Sequence, residues 1–119
     1  MNDINILQHA KGAPGLRMLG LGPNLKPSKG LKQLQMLLRK NASWGQNRNR
    51  KDLKKLLASS SVVISLWYKE KLIGFGRATS DGIFRAILWD IIVDKKYQNL
   101  GFGKKIVRKL LTSRLISKV

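Results

Sequence analysis

A glycine-containing stretch near the C-terminus combines residue types and spacing that can hold a phosphate group. Gly101 and Gly103 stand between an apolar run and a helical pattern, and Lys104 and Lys105 follow them. The first N–H groups of a helix have no partner within it, and the helix dipole adds partial positive charge there. Glycines also let the main chain approach an anion closely. The pattern predicts a phosphate-binding loop, although the two glycines could also form only a tight turn.

Two better-known phosphate motifs do not fit this stretch. A P-loop requires a glycine at the position of Gln98 and a hydroxyl residue at the position of Lys105. The dinucleotide-binding fingerprint requires a third glycine where the sequence has Ile106. What remains is the pattern Gln98-x-x-Gly101-x-Gly103, placed between a strand and a helix.

Asp90 is the second candidate for chemistry, because it is the only charged residue within the apolar run of residues 86–93. A buried carboxylate needs a partner or a purpose. It could act as a general base, directly or through water, or it could be a structural anchor that accepts main-chain or arginine hydrogen bonds. Arg77, inside a neighbouring predicted strand, could meet an acidic partner or extend to solvent at the strand edge.

Hydrophobic periodicity predicts the elements that position these residues. In chain order they are two helices, three antiparallel strands and one helix, at residues 28–40, 51–58, 62–67, 72–79, 85–93 and 103–118. The third strand is apolar on both faces apart from Asp90, which is typical of a central strand covered on both sides. Gly74 and Gly76 in the second strand indicate close packing or backbone approach.

The final predicted helix has two distinct faces. Its core side is predicted to carry Ile106, Val107, Leu110, Leu111 and Leu115. Its solvent side is predicted to carry Lys104, Lys105, Arg108 and Lys109. The order of elements therefore predicts a mixed α/β (α+β) domain over residues 28–119.

Residues 1–27 are predicted to be an irregular N-terminal segment, because glycines and prolines punctuate them closely. A short strand at 16–21 is the one regular element that the pattern allows there. His9 is most simply interpreted as a solvent-exposed residue near the terminus.

Composition excludes several function classes. The 119 residues contain no cysteine and one histidine, so disulfides, a catalytic thiol and a cysteine- or histidine-based metal site are excluded. A formal charge of +18 attracts polyanions, so a nucleic-acid partner stays open but is weakly indicated. No apolar run is long enough for a membrane span and no signal or transit peptide is seen, so no membrane partner is expected.

The loop pattern resembles a family signature. Gln98-x-x-Gly101-x-Gly103 is similar to the Arg/Gln-x-x-Gly-x-Gly/Ala signature of GNAT N-acetyltransferases, in the strand–loop–helix context that this family uses. The stretches 72–82 and 88–93 resemble the plastid and cyanobacterial branch, which includes chloroplast enzymes described as serotonin or protein-lysine N-acetyltransferases. The resemblance extends over residues 28–118 and implies a plastid or chloroplast location.

This resemblance implies acetyl-CoA as the co-substrate and a primary amine as the acceptor, either a small arylalkylamine such as serotonin or a protein amine. Main-chain groups of Ile91, Ile92 and Val93 would hold the pantetheine arm and the thioester carbonyl. Loop N–H groups would bind the pyrophosphate, from Gln98, Asn99, Leu100, Gly101, Phe102, Gly103 and Lys104. The neutral amine would attack the thioester directly, which requires a base, a polarised carbonyl and an acid for the thiolate; Asp90 is the candidate base.

The resemblance also implies a GNAT fold of which only the N-terminal part is present, with the later strands and a later helix missing. A truncated reading frame, a fragment, or a remnant that pairs with a complementing chain or a second copy would each explain this. We therefore expect little or no acetyl transfer by this polypeptide alone. The alternative function is a non-catalytic basic module that binds RNA or ribosomes on the same scaffold.

Overall fold

A computed structural model describes residues 4–10, 30–41, 49–80 and 85–113. These residues form a four-stranded antiparallel sheet in the order β1-β2-β3-β4. The strands are β1 (Ile4–Ala10), β2 (Val62–Tyr68), β3 (Lys71–Ser80) and β4 (Ala86–Val93). The helices are α1 (Gly30–Asn41), α2 (Arg50–Ser59) and α3 (Phe102–Thr112), and a short 3-10 turn spans Lys95–Tyr97. The mixed α/β class and the predicted order from α1 to α3 are confirmed.

The sheet separates two hydrophobic clusters. One lies under α1 and α2, where Leu34, Leu38 and Leu53 are almost fully buried against Trp67 and Phe75 of the sheet. The other lies under α3 and is formed by Val62, Ile64, Leu66, Ile73, Ala78, Val93, Phe102, Ile106 and Leu110. Alternate residues of β2 enter opposite clusters, as the two-residue repeat of a strand requires.

The first strand corrects the prediction for the N-terminal segment. Residues 4–10 were predicted to be irregular, but they form β1 and pair with β2 from Ile4 opposite Tyr68 to Ala10 opposite Val62. The pairing joins parts of the chain that are far apart in sequence, so local periodicity does not reveal it. The sheet thus has four strands where three were predicted. The possible strand at 16–21 lies outside the described residues.

His9 is also placed differently from the prediction. It is 8% exposed, and its Nε2 lies 2.8 Å from the hydroxyl oxygen of Ser65 on β2. The indole N–H of Trp67 donates to the same oxygen at 2.8 Å. The interpretation of His9 as a solvent-exposed terminal residue is therefore wrong, because β1 carries it onto the buried face under α1 and α2.

The position of β4 differs from the prediction as well. Within the described sheet β4 is an edge strand, so the expectation of a central strand does not hold there. Both of its faces are nevertheless covered near its C-terminal end, where Ile92 packs under α1 and α2 and Val93 under α3, whereas Ile87 is 49% exposed. In α3 the predicted core residues Ile106 and Leu110 are fully buried, but Leu111 is 51% exposed. Helix α3 ends at Thr112, and residues 114–119 lie outside the described part of the chain. No helix among the described residues is long and apolar enough to cross a membrane.

Two glycines allow α3 to lie close to β3. A β-carbon on Gly76 would lie 2.5 Å from Cγ2 of Ile106 and 2.8 Å from Cδ1 of Ile91. At Gly74 it would lie 3.0 Å from Cδ1 of Ile106. The prediction that these glycines mark close packing is confirmed. Because these two glycines have no side chains, Ile106 of α3 can pack directly against β3.

Candidate functional site

The N-terminus of α3 is built as the loop pattern predicts. Gly101 is the N-cap residue, with a φ of 83°, a left-handed conformation that favours glycine. The first helical hydrogen bond runs from the N–H of Lys105 to the carbonyl of Gly101 at 3.1 Å. The N–H groups of the preceding residues of the first turn have no acceptor within the helix. No acidic residue lies in this turn, so its positive dipole end is not neutralised by the helix itself.

The connection between β4 and α3 is held on both sides. The N–H of Lys95 donates to Oδ1 of Asn41 in α1 at 3.0 Å, which fixes the start of the connection to the first helix. The ring of Tyr97 lies 6.0 Å from that of Tyr68, between centroids, at a tilt of 37°. The ammonium of Lys71 lies 5.9 Å from the Tyr97 ring centroid. These contacts position the loop before any ligand is present.

The edge of β4 offers main-chain groups beside this loop. The N–H of Asp94 donates to the carbonyl of Ile73 at 2.8 Å, so by the alternation of an antiparallel ladder the N–H and carbonyl of Val93 point away from β3. The side-chain amide of Gln98 donates to this Val93 carbonyl at 2.9 Å. Gln98 therefore ties the loop to the strand edge and leaves the N–H of Val93 for another acceptor.

Most of the predicted cofactor residues surround one cavity of about 310 Å³ at this junction. It is lined by Ile91, Ile92, Val93, Tyr97, Gln98, Asn99, Gly101, Phe102 and Gly103. Leu100 is not among them and is 54% exposed. Lys104 lines a neighbouring cavity of about 610 Å³, together with Ile91, Gly103, Val107, Arg108, Leu111 and Thr112. The structure thus brings the strand edge and the loop together around a joined groove that shares Ile91 and Gly103.

Asp90 directly precedes Ile91, which lines both cavities, but Asp90 itself lines neither. Its Oδ2 accepts a hydrogen bond from Nε of Arg77 at 2.9 Å, and both side chains are largely buried. Of the two alternatives predicted for Arg77, an acidic partner and extension to solvent, the acidic partner is confirmed. The contact favours the interpretation of Asp90 as a structural anchor, whereas its role as a general base stays a prediction.

Two features of the site were not predicted from the sequence. Tyr97, which the sequence pattern did not single out, lines the smaller cavity. Gln98 was expected to contribute only its main-chain N–H, yet its side-chain amide also donates to the carbonyl of Val93. The polar residue type at Gln98, three positions before Gly101, was the signal available in the sequence for this contact. Its partner, the Val93 carbonyl, could not be predicted because it depends on where β4 ends.

In this mixed α/β protein, a strand edge that runs into a glycine-capped helix, with cavities at the junction, is an arrangement that suits an anionic ligand. The chain belongs to the acetyltransferase (GNAT) family, whose model matches residues 31–114. The resemblance inferred from the loop signature is therefore confirmed. The family's enzymes use acetyl-CoA as the acetyl donor.

Relatives and solved structures agree with this assignment. The chain is 43% identical over 65 residues to the uncharacterized N-acetyltransferase ycf52 of Pyropia yezoensis, covering 51% of this chain and 37% of that protein. It is 51% identical over 47 residues to the chloroplastic GCN5-related N-acetyltransferase 2 of Arabidopsis thaliana, covering 40% of this chain and 18% of that protein. These relatives support the plastid and cyanobacterial branch.

A GNAT family acetyltransferase from Streptococcus pneumoniae has the same fold, with a TM-score of 0.67 over 98% of this chain and 70% of that one. The sequence identity is 18%, so this likeness shows the fold alone. The chain spans little more than a third of the Pyropia relative, 37% of its length. Acetyl transfer, the acceptor and the partners of the whole protein are therefore proposals.

Proposed function

We propose that this chain forms the acetyl-CoA-binding part of an N-acetyltransferase that transfers an acetyl group to a primary amine. The observation that carries the proposal is the groove where the edge of β4, which pairs with no further strand among the described residues, meets the N-terminus of α3. Its loop end offers helix N–H groups and positive dipole charge, which suit a pyrophosphate. Its strand end offers the N–H of Val93 and apolar side chains, which suit an amide-containing, otherwise apolar pantetheine arm.

The residues lining the groove divide by the part of the cofactor that they suit. Loop residues Gln98 to Lys104 would receive the pyrophosphate, and the exposed side chain of Lys104 would add a cation at the rim. Ile91, Ile92 and Val93 would lie along the pantetheine arm, with the thioester near the strand edge. When bound, acetyl-CoA supplies the activated acetyl group. The groups of the chain named above would hold acetyl-CoA in the groove and orient its thioester toward the acceptor amine.

The proposed reaction is direct attack of a neutral amine on the thioester. The nitrogen–carbon bond forms as the carbon–sulfur bond breaks, the amine loses a proton, and the thiolate gains one. Hydrogen-bond donors at the carbonyl oxygen stabilise the charge that develops there. Asp90 is the predicted base. However, its carboxylate is paired with Arg77 and lines neither cavity, so it has no direct contact with an amine in the groove.

We propose a plastid location and an amine acceptor that is either a small arylalkylamine, such as serotonin, or a protein lysine or N-terminal amine. The support is the similarity to proteins described as chloroplastic N-acetyltransferases and to a ycf52 protein. The acceptor stays open between these two kinds of amine. The described elements form the cofactor side, and no groove residue discriminates between the two.

Amide hydrogen exchange on the purified chain tests the cofactor part of this proposal. Adding acetyl-CoA should slow exchange at residues 99–104 and at Val93, because the ligand would accept hydrogen bonds from these N–H groups. The amides of α2, on the opposite face of the sheet, serve as the internal reference. Protection that is absent, or equal at α2 and at the loop, would contradict the proposed site.

A further inference from the structure

The backbone of β4 is irregular just before the residues that line the groove. Phe75 pairs with Ile92 and Arg77 pairs with Trp89, so Gly76 on β3 faces two residues of β4, Asp90 and Ile91. Such a β-bulge inserts one extra residue and bends the strand. Asp90 has a φ of 55°, in the left-handed region that a non-glycine residue adopts only when its surroundings hold it there.

The Asp90 side chain is held by Arg77. The ion pair has a distance of 2.9 Å between Nε and Oδ2, with side-chain exposures of 13% for Arg77 and 7% for Asp90. A charge-assisted hydrogen bond at this burial is shorter and stronger than a neutral one, and it is weakly screened by salt. By contrast, the pair between Lys71 and Asp94 has a distance of 3.9 Å and leaves the lysine 49% exposed. The pair at the bulge is therefore the tighter of the two.

Arg77 also connects the bulge to α2. Its Nη1 lies 3.5 Å from the hydroxyl oxygen of Ser60, a long contact, and this hydroxyl donates to the carbonyl of Leu56 at 2.7 Å. Ser60 is 1% exposed and follows the last residue of α2. A chain of polar contacts thus runs from the end of α2 through Arg77 to Asp90. It fixes the bulge from the side of the sheet opposite α3.

We propose that Arg77 and Asp90 are positioning residues that hold the bulge of β4 and thereby set the direction of the Ile91–Val93 main chain for the pantetheine arm. The inference rests on the proposed function, because it assigns the arm to this strand edge. A one-residue shift after Asp90 would exchange the faces of Ile91 and Ile92 and turn the N–H of Val93 toward β3. The pair therefore acts on the arm of the cofactor and not on its nucleotide part, which lies at the loop.

Two substitutions at one position separate this role from general stabilisation. Asp90→Asn keeps an oxygen that accepts from Arg77, and asparagine tolerates the left-handed conformation. Asp90→Gly adopts the same conformation without strain but removes the acceptor. The two variants therefore differ chiefly in the contact with Arg77. Thermal unfolding of both variants shows that the compared proteins are folded.

Calorimetric titration of the full 119-residue chain supplies the measurement, with coenzyme A as one ligand and its nucleotide part lacking pantetheine as the other. Asp90→Gly should weaken coenzyme A binding by about tenfold, or about 1.4 kcal/mol, and leave the nucleotide affinity within about twofold. Asp90→Asn should leave both affinities within about twofold. Exchange of the Ile91–Val93 amides in the free chain should be faster in Asp90→Gly than in Asp90→Asn.

Three outcomes would overturn the inference. Equal loss of affinity for both ligands in Asp90→Gly would mean that the whole site, not the strand edge, is disturbed. Unchanged coenzyme A binding in Asp90→Gly would mean that the ion pair does not position the arm. Failure of the unsubstituted chain to bind either ligand would contradict the proposed function and, with it, the cofactor role of the pair. In that case, faster exchange of the Ile91–Val93 amides in Asp90→Gly than in Asp90→Asn would still support the role of the ion pair in ordering the strand.

Discussion

At the scale of single residues, Gly103 is a position where a substitution should change ligand binding without changing stability. A β-carbon placed on it would meet no atom within 4 Å outside its own helix and its chain neighbours, and the residue lines both cavities. Gly103→Val should therefore leave the unfolding midpoint nearly unchanged but fill space that the proposed pyrophosphate needs. We expect acetyl-CoA affinity to fall by tenfold or more, at least about 1.4 kcal/mol, as measured by calorimetric titration. Unchanged affinity in a folded variant would place the cofactor elsewhere.

Ser65 joins two buried aromatic side chains in a polar contact that the sequence did not reveal. Its hydroxyl oxygen lies 2.8 Å from both the His9 and the Trp67 ring nitrogens, and Ser65 itself has no exposed surface. Ser65→Ala should lower the free energy of unfolding by about 1–3 kcal/mol, because buried polar groups lose a partner. Urea unfolding measures this change. Ser59→Ala, at an exposed serine that donates to Leu56, is the matched control, and an equal effect there would contradict the prediction.

At the scale of elements, the contact between α3 and β3 determines whether the groove exists. Gly76→Ala would place a β-carbon 2.5 Å from Ile106 and 2.8 Å from Ile91, so α3 or β4 must move. We expect a loss of about 1–3 kcal/mol in unfolding free energy from this overpacking. Gly103→Ala, in the open first turn of α3, should instead stabilise the chain by up to about 1 kcal/mol, because alanine favours helix. Chemical denaturation of both variants should give shifts of opposite sign.

The sequence predicted elements well where one local pattern determines both structure and burial. Leu31, Leu34 and Leu38 repeat at helical spacing, and all three are buried in α1 as expected. The pattern failed for β1, because Ile4–Ala10 is a strand only by virtue of its ladder with β2. The same limit applies to β4, since apolar residues on both faces of a strand do not determine its place in the sheet order.

The candidate site was predictable in its loop and less so in its strand. Two closely spaced glycines before a helical pattern favour a tight loop at the helix start, because glycine adopts left-handed backbone conformations easily. The position of Gly101 and Gly103 at the start of α3 could therefore be inferred. The bulge at Asp90 depends on register with β3, and its partner Arg77 depends on which face that register selects. A sequence pattern shows that a charge is buried, whereas the opposing strand decides which group neutralises it.

At the scale of the whole molecule, positive charges greatly outnumber negative charges. The chain carries 24 Lys and Arg against 6 Asp and Glu. Exposed cations occur in the connection after β4 at Lys95 and Lys96, and along α3 at Lys104, Lys105, Arg108 and Lys109. Asp94, the nearby carboxylate, is already paired with Lys71. Such a field raises the local concentration of any anionic ligand, so both acetyl-CoA and RNA should be attracted to it.

Salt dependence distinguishes a specific cofactor site from general attraction of polyanions. Surface charges act over about 10 Å at 0.1 M salt and about 3 Å at 1 M, so acetyl-CoA affinity should fall moderately with salt and keep a salt-resistant part from helix N–H groups.

Replacing Lys51, Lys54 and Lys55 of α2 by glutamine should leave acetyl-CoA affinity at 0.1 M salt within about twofold, because α2 lies across the sheet from the groove. A polyanion is attracted by cations on the whole surface, α2 included, so the same triple variant should weaken RNA binding and flatten its salt slope by up to about three units. Anisotropy titrations with labelled RNA and calorimetry with acetyl-CoA, each at several salt concentrations, make the comparison. Acetyl-CoA binding that vanishes at high salt, or that drops in parallel with RNA in the triple variant, would mean that charge alone attracts the cofactor and that the groove is not a specific site.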